Sequence, residues 1–371
     1  MKYTSIYVGI DVHKEKSSVS IAPCGNKNVE YLGEIESTTK ALDKLISKLK
    51  KMSSVLHFCY EAGPCGFRFY RHLVKRGFKC DVVAPSLVPC KPGEKVKTDR
   101  LDSQKLARFL RAGELTAIWV PDEREEALRD LCRARDDAKE AEKRAKQHLM
   151  SFLNRHGRNY PGKSAWTKTY YAWLGSLKFE QQADNLVLQE YLEWVECTGR
   201  KVHTMEEEMF KEFETWHMRP VAEALMALRG FDWLGAMGLL AELGDLRRFK
   251  EPKHLMAYSG SVPRESSSGK RIRKGSITGV GNEKVRRLLI EAAWTYRHSA
   301  RRTAHWRAKA AKAPEEAQAI SWKAMKRLNS RYWRILNKTG YSKKAVVSIA
   351  RELAGFVWAI GQIVKPEPFT S

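Results

Sequence analysis

Apolar and polar positions alternate in the first third of the chain and then change to a helical period. Residues 5–12 set Ile6, Val8 and Ile10 two apart, and 16–22 do the same with Val19 and Ile21, around a short turn at His13-Lys14. A period of two is that of a strand with one buried face. Val29–Ile35 reads as a third strand, and Thr39–Lys50 switches to helical spacing through Leu42, Leu45, Ile46 and Leu49. A strand over Val55–Glu61, a break at Gly63-Pro64-Cys65-Gly66, a helix near Phe67–Arg76 and a strand at Cys80–Ala84 follow. A strand hairpin followed by alternating helix and strand predicts an α/β domain with a mixed sheet. Pro85–Val96 reads as a loop, Asp99–Ala112 as a helix, and the domain closes near Trp119-Val120-Pro121.

From Asp122 the pattern is helical. Glu123–Asn154 has no glycine or proline, and its apolar seam runs Leu128, Leu131, Ala134, Ala138, Ala141, Ala145, Leu149, Phe152. Spacing of three and four predicts a long, coiled-coil-like helix. A linker over 155–180 leads to a second long helix, Gln181–Trp216. In the third region, helices over Val221–Leu228 and Leu234–Leu243 flank Arg229-Gly230-Phe231 and resemble a helix-hairpin-helix. Asp232 stands where that motif wants a second glycine, which weakens a phosphate-binding reading. A helix over Leu246–Ser259 and a polar loop over Gly260–Gly281 follow, then helices at Asn282–His298, Thr303–Ala311, Glu315–Lys338 and Lys343–Ile363. The expected organisation is 1–121, 122–219 (a helical spacer) and 220–371.

Charge narrows the partner. The 371 residues carry a formal net charge of +24, which points to a polyanion, foremost nucleic acid. Residues 264–312 hold 14 Lys/Arg against three acids, and Trp294, Trp306, Trp322 and Trp333 are core residues or stacking platforms. No apolar run of spanning length stands out and no signal peptide is expected, so no membrane partner is expected. Seven scattered cysteines form no C-x-x-C pair, which fits a reducing cytoplasm better than a disulfide or zinc framework.

The acids suggest chemistry. Asp11 and Glu61 each end an apolar strand, and Asp99 and Asp102 lie three apart, on one face at the start of a helix. Four such acids suit two hard divalent cations about 4 Å apart. The plainer role for Asp99 is a first-turn charge favoured by the helix dipole. Ser266-Ser267-Ser268-Gly269, flanked by Arg264, Lys270, Arg271, Arg273 and Lys274, is either a flexible connector or a nucleophile loop with cations at hand.

Y-V-G-I-D-V-H-K-E-K, Y-E-A-G and K-T-D-R-L-D-S-Q-K-L-A, with the C-terminal block from L-R-G-F through S-G-S-V-P-R-E-S-S-S-G-K-R-I-R-K-G, resemble the DEDD transposases of the IS110 insertion-sequence family. These are bridge-RNA-guided DNA recombinases related to a pilin-gene invertase. The resemblance implies a RuvC-like ribonuclease H-fold domain, a coiled-coil spacer and a mainly α-helical transposase domain. It implies Mg2+, with Mn2+ as a substitute, on Asp11, Glu61, Asp99 and Asp102, and Ser268 as nucleophile. DNA contacts fall to Arg264, Lys270, Arg271, Arg273, Lys274, Arg286 and Arg287. It further implies a noncoding bridge RNA, a dimer assembling to a tetramer, and action at the bacterial nucleoid. The alternative is a metal-dependent junction nuclease that uses water, with no serine intermediate.

Overall fold

The alternating run at the N-terminus becomes the central strand of a mixed sheet. In the computed structural model, which describes all residues except 1, 26, 90–97, 267–272 and 369–371, Ser5–Val12 (β1) pairs antiparallel with Lys16–Pro23 (β2). β2 pairs with Glu30–Glu36 (β3). After helix α1 (Thr39–Lys50), Val55–Glu61 (β4) runs parallel to β1, and after α2 (Arg68–Lys75), Lys79–Val83 (β5) runs parallel to β4. The order β3-β2-β1-β4-β5 is a mixed α/β sheet that fits the expected ribonuclease H-like domain.

Alternation along β1 sorts its two faces. Ile6, Val8 and Ile10 are buried with Leu42, Leu45 and Ile46 of α1 and Phe69 and Leu73 of α2. Tyr7, Gly9 and Asp11 face the other way, toward α3 (Asp99–Ala112). Helix and strand approach so closely there that a Cβ on Gly9 would collide with the backbone of Ser103 and Ala107. Ser20 Oγ lies 2.8 Å from Ser103 Oγ, and Cys59 Sγ lies 3.6 Å from the Leu106 carbonyl, so β2 and β4 are tied to the same helix.

The chain divides into two compact units, Met1–Pro121 and Asp122–Ser371. The second unit opens with α4 (Glu123–Arg155), followed by α5 (Lys168–Ser176) and α6 (Gln182–Glu214). α4 and α6 lie antiparallel: Arg124 bonds Thr215 near one end, and Phe152 packs on Tyr191 near the other. Their seam differs from the predicted one. Ala134 is exposed, whereas Cys132 and Glu142 are buried. Arg135 on Glu206 ties the two helices together, while Glu142 is paired within α4 itself, with Lys139 at 2.8 Å and Lys146 at 2.5 Å, and Ala145 keeps its place in the core. Within the predicted linker, α5 packs Tyr170 and Leu174 under Phe152 and Leu153.

The remaining core gathers α7 (Arg219–Met226), α8 (Trp233–Leu243), α9 (Pro252–Tyr258), α10 (Glu283–Ala293), α11 (Ala304–Ala310), α12 (Glu315–Thr339) and α13 (Ser342–Ile363). The helix expected over Leu246–Ser259 is broken, because Pro252 starts α9 after a single 3-10 turn at Leu246–Arg248. The expected loop over Gly260–Gly281 contains a two-stranded hairpin, β6 (Pro263–Glu265) and β7 (Lys274–Ile277). α13 has the length and apolarity of a membrane span, unlike the sequence expectation. Its apolar side chains, among them Val346, Ile349, Leu353 and Val357, are core residues of this unit.

Candidate active site

Asp11 and Glu61 stand at neighbouring strand tips. Ile10 and Tyr60 are register partners in the parallel pair, and each acid is the next residue along. Both fall on the α3 side of the sheet, at the carboxyl ends of strands where such sheets bind ligands. Thr98, rather than Asp99, caps α3: its Oγ1 accepts from Leu101 N at 3.3 Å. Asp99 and Asp102 occupy the first turn, where the dipole favours carboxylates.

The structure brings Asp11, Asp99 and a histidine together. Ligand atoms of Asp11, His13 and Asp99 all lie within 4.8 Å of one another. His13 Nε2 is 3.2 Å from Asp11 Oδ2 and 3.5 Å from Asp99 Oδ1. Asp102 and Glu61 lie outside this tightest set, although the Asp102 charge still acts on Asp11. Burial pushes the Asp11 carboxyl above its ordinary range; His13 opposes this, and the charges of Asp102 and Asp99 add to it. A half-desolvated carboxylate among like charges is relieved by a cation, and an oxygen-rich donor set fits a hard divalent ion. The sequence pattern alone places His13 in the turn after β1 and gives it no further role. The signal for it was its place two residues after Asp11, at the strand tip the acids share.

The second unit builds a mounted hairpin. Ser266 N donates to the Arg273 carbonyl at 3.0 Å, so the pairing extends one residue beyond the β6–β7 stem. Below the stem, Thr278 N bonds Val262 O at 2.8 Å and Gly279 N bonds Gly260 O at 3.1 Å. Arg286 donates from Nη1 to the carbonyls of Ser259 and Gly279, both at 3.1 Å, and so clamps the base. Gly281, at φ +137°, packs against the Tyr258 carbonyl, where a Cβ has no room. Ser268, Lys270 and Arg271 lie outside the described residues, as does the Lys274 side chain.

The basic residues divide by use. Arg264 and Arg273 are exposed beside the stem, with Arg264 donating to Thr278 O at 3.4 Å. Arg287 is paired with Asp136, and Lys284 reaches the same carboxylate at 3.4 Å. Beneath them, buried Glu242 accepts from Arg133 at 2.9 Å and from Asn282 at 2.8 Å. Burial alone would raise the Glu242 carboxyl, but these donors outweigh it and hold it below the usual range. In the helix-hairpin-helix-like segment, Asp232 caps α8 by accepting from Gly235 N at 2.8 Å, so it occupies an amide that a phosphate would use. Gly230, at φ +93°, lies against Ala292 of α10.

A second basic surface follows α10. The loop from Arg297 to Arg302 turns carbonyls inward, where Arg229 bonds His298 O at 2.8 Å, Asn329 bonds the same carbonyl at 2.9 Å and Trp333 bonds Arg297 O at 3.1 Å. Arg297, Arg301 and Arg302 stay exposed, with Arg302 4.7 Å over the Trp322 ring. The tryptophans serve largely as anchors: Trp306 Nε1 donates to Ala227 O at 3.0 Å.

Comparison with known proteins agrees with this architecture. Residues 8–157 match a DEDD transposase model of the IS110 type, and residues 222–309 match the model for the transposase IS116/IS110/IS902 family. The chain is 43% identical, over 97% of its length and 89% of the relative's, to the Sinorhizobium fredii protein y4qE, which carries the name transposase. It is 29% identical, over 88% of its length and 95% of the relative's, to the transposase for insertion sequence element IS1533 of Leptospira borgpetersenii. It is 22% identical to the transposase for IS1111A of Coxiella burnetii, over 77% and 76% of the two chains. A DEDD domain of this kind implies dependence on a divalent metal, and a transposase implies DNA as substrate. The chain belongs to the IS110 family of insertion-sequence transposases.

Proposed function

We propose that this transposase cuts and rejoins DNA through a covalent serine–DNA link. In this reading Asp11, Glu61, Asp99 and Asp102 are the metal-binding acids and Ser268 is the nucleophile. The observation that carries the reading is the approach of Asp11, His13 and Asp99 at the tip of β1, beside the first turn of α3. These acids would hold one or two divalent cations, magnesium first and manganese as substitute. Bound there, such an ion supplies activation of a nucleophile and stabilisation of charge on a phosphoryl group.

The Ser268 Oγ loses its proton and attacks a DNA phosphorus. A bond from Oγ to phosphorus forms, the bond from phosphorus to one bridging oxygen of the DNA breaks, and that oxygen takes up a proton and leaves as a free DNA hydroxyl. The energy of the cut linkage is kept in the serine ester, and strand exchange follows. Arg264, Lys270, Arg271, Arg273 and Lys274 flank the serines in the sequence and would supply positive charge to a phosphate there. Arg286 and Arg287 serve the DNA contact by holding the hairpin base and α10, since their guanidinium groups are engaged within the chain.

The chemistry requires the serine loop to reach the acid site, from the same chain or another copy. Exchange between two duplexes calls for a dimer that assembles to a tetramer, with residues 122–219 as the spacer. The net charge of +24 supports nucleic acid and does not distinguish DNA from a noncoding bridge RNA that would select the target on the bacterial nucleoid.

The test is to trap protein–DNA adducts from Ser266→Ala, Ser267→Ala and Ser268→Ala variants. Loss of both adduct and cleavage in Ser268→Ala alone is expected. Continued cleavage by that variant, with no adduct from the unmodified protein, makes this a water-using nuclease instead. Sequencing the nucleic acid that co-purifies from the host tests the guide: a discrete structured RNA is expected.

A further inference from the structure

A groove of about 740 Å³ runs between the β6–β7 stem and the N-terminal half of α13. Gly275 and Ser276 line one side, and Lys343, Lys344, Ser348 and Arg351 line the other. Lys344, Ser348 and Arg351 follow one another at four and three residues, hence on one helical face.

Three features make the groove unusual. Glu352 is the sole acid of α13, and it is drawn away to α12, where it pairs with Arg327 and, at 3.0 Å, with Arg331. Among the described residues Lys343, Lys344 and Arg351 therefore have no carboxylate partner, although this unit neutralises Arg133, Arg135 and Arg287 with care. Lys343 and Lys344 also sit in the first helical turn, where the dipole disfavours cations, so their placement costs stability in the free protein. Tyr341, two residues before Lys343, is a large aromatic 71% exposed to solvent. Cations lining a channel with an exposed aromatic ring nearby are the makings of a single-strand site, in which charge takes the phosphates and the ring takes an unpaired base.

We propose that this groove holds a single DNA strand, with Lys343, Lys344 and Arg351 on its phosphates and Tyr341 stacked on an unpaired base. The choice of DNA rests on the serine reading above, because the groove lies along the stem of the hairpin that carries those serines. The binding chemistry itself does not depend on it.

The experiment uses the full chain with Ser268→Ala, so that binding is read without cleavage. Affinities for single-stranded DNA, duplex DNA and single-stranded RNA are measured across a salt series. Replacing Lys343, Lys344 and Arg351 together by Gln should weaken single-stranded DNA binding about tenfold or more and reduce the salt slope by about 2. The charge-keeping set Lys343→Arg, Lys344→Arg, Arg351→Lys should retain wild-type binding. Tyr341→Ala should lose about fivefold or more on single-stranded DNA, with duplex binding unchanged and Tyr341→Phe unaffected. Should the Gln variant melt early, the exposed Tyr341 pair carries the test. Wild-type affinity and slope in the Gln variant, or an unaffected Tyr341→Ala, overturns the proposal. A loss confined to RNA or to duplex DNA overturns it equally. Failure of the serine chemistry is seen separately, as absence of an adduct from the unmodified protein.

Discussion

The sheet unit and the helical unit solve the same problem, holding charged side chains near one another, by different means. In residues 1–121 Asp11 and Asp99 come together, with His13, because of regular structure: two parallel strands end side by side, and a helix begins beside them. The site is then the product of register and period. In residues 122–371 the hairpin is held by irregular contacts, in which one guanidinium clamps two carbonyls and Gly281 leaves room for Tyr258. A site built from register is written in the spacing of its own residues. One built from clamps depends on partners tens of residues away, which no local pattern announces.

That contrast can be broken most forcefully at Asp11. Asp11→Asn should reduce strand cleavage by about a thousandfold, measured on labelled DNA, with DNA binding retained. The same substitution should raise the melting temperature of the metal-free protein. The sign follows from the raised carboxyl: the folded state binds the Asp11 proton more tightly than the unfolded state, so above the folded pKa the charge is a cost that asparagine removes. For the same reason, lowering the pH through that raised pKa should weaken divalent-ion binding, read by calorimetry. A melting temperature that falls instead would sink the account of Asp11 as a desolvated ligand.

The helical unit should break through Glu242. Glu242→Ala leaves Arg129 and Arg133 around a buried vacancy and should cost about 3 kcal/mol in chemical denaturation. The Glu242 carboxyl is held below its usual range, so its contribution is present above the unfolded pKa and is lost as pH falls through the folded one. Gly9→Ala is a smaller perturbation that joins fold to site. Its Cβ must push α3 off β1, costing about 1–3 kcal/mol and moving Asp99 and Asp102 relative to Asp11. Weaker metal binding together with the stability loss is expected; stability loss alone would separate packing from the site. The mildest test is His13→Gln, which should lower metal affinity about tenfold if the imidazole orients or joins the acids.

Much of the sheet unit was legible in advance, because strands and helices announce themselves by the period of their apolar residues. β1, β2, β4, α1 and α3 lie where their spacing predicts them. The four acids stand where that reading puts them along the chain, each at the end or start of a regular element. The failures have a shared cause. The hairpin in 260–281 is polar and glycine-rich, with no alternation to betray it, and it forms because residues 258–262 and 278–286 bond to one another. Ala134 was expected in the α4 seam, yet Glu142 is the residue buried there, since paired lysines remove the cost of burying its charge.

From its own residues, the chain settles which segments are strands and helices, where acids stand at their ends, and that its partner carries negative charge. These follow from local period and composition, which need no partner to act. Tertiary structure alone decided how individual polar groups are used. It set His13 beside Asp11 and Asp99, engaged the Asp232 carboxylate with an amide at the head of α8, and committed Arg286 and Arg287 to contacts within the chain. By drawing Glu352 to α12, it also left Lys343, Lys344 and Arg351 lining a groove. The reason is physical: a charge has no fixed role until the fold decides whether its nearest neighbour is water, a like charge or a partner.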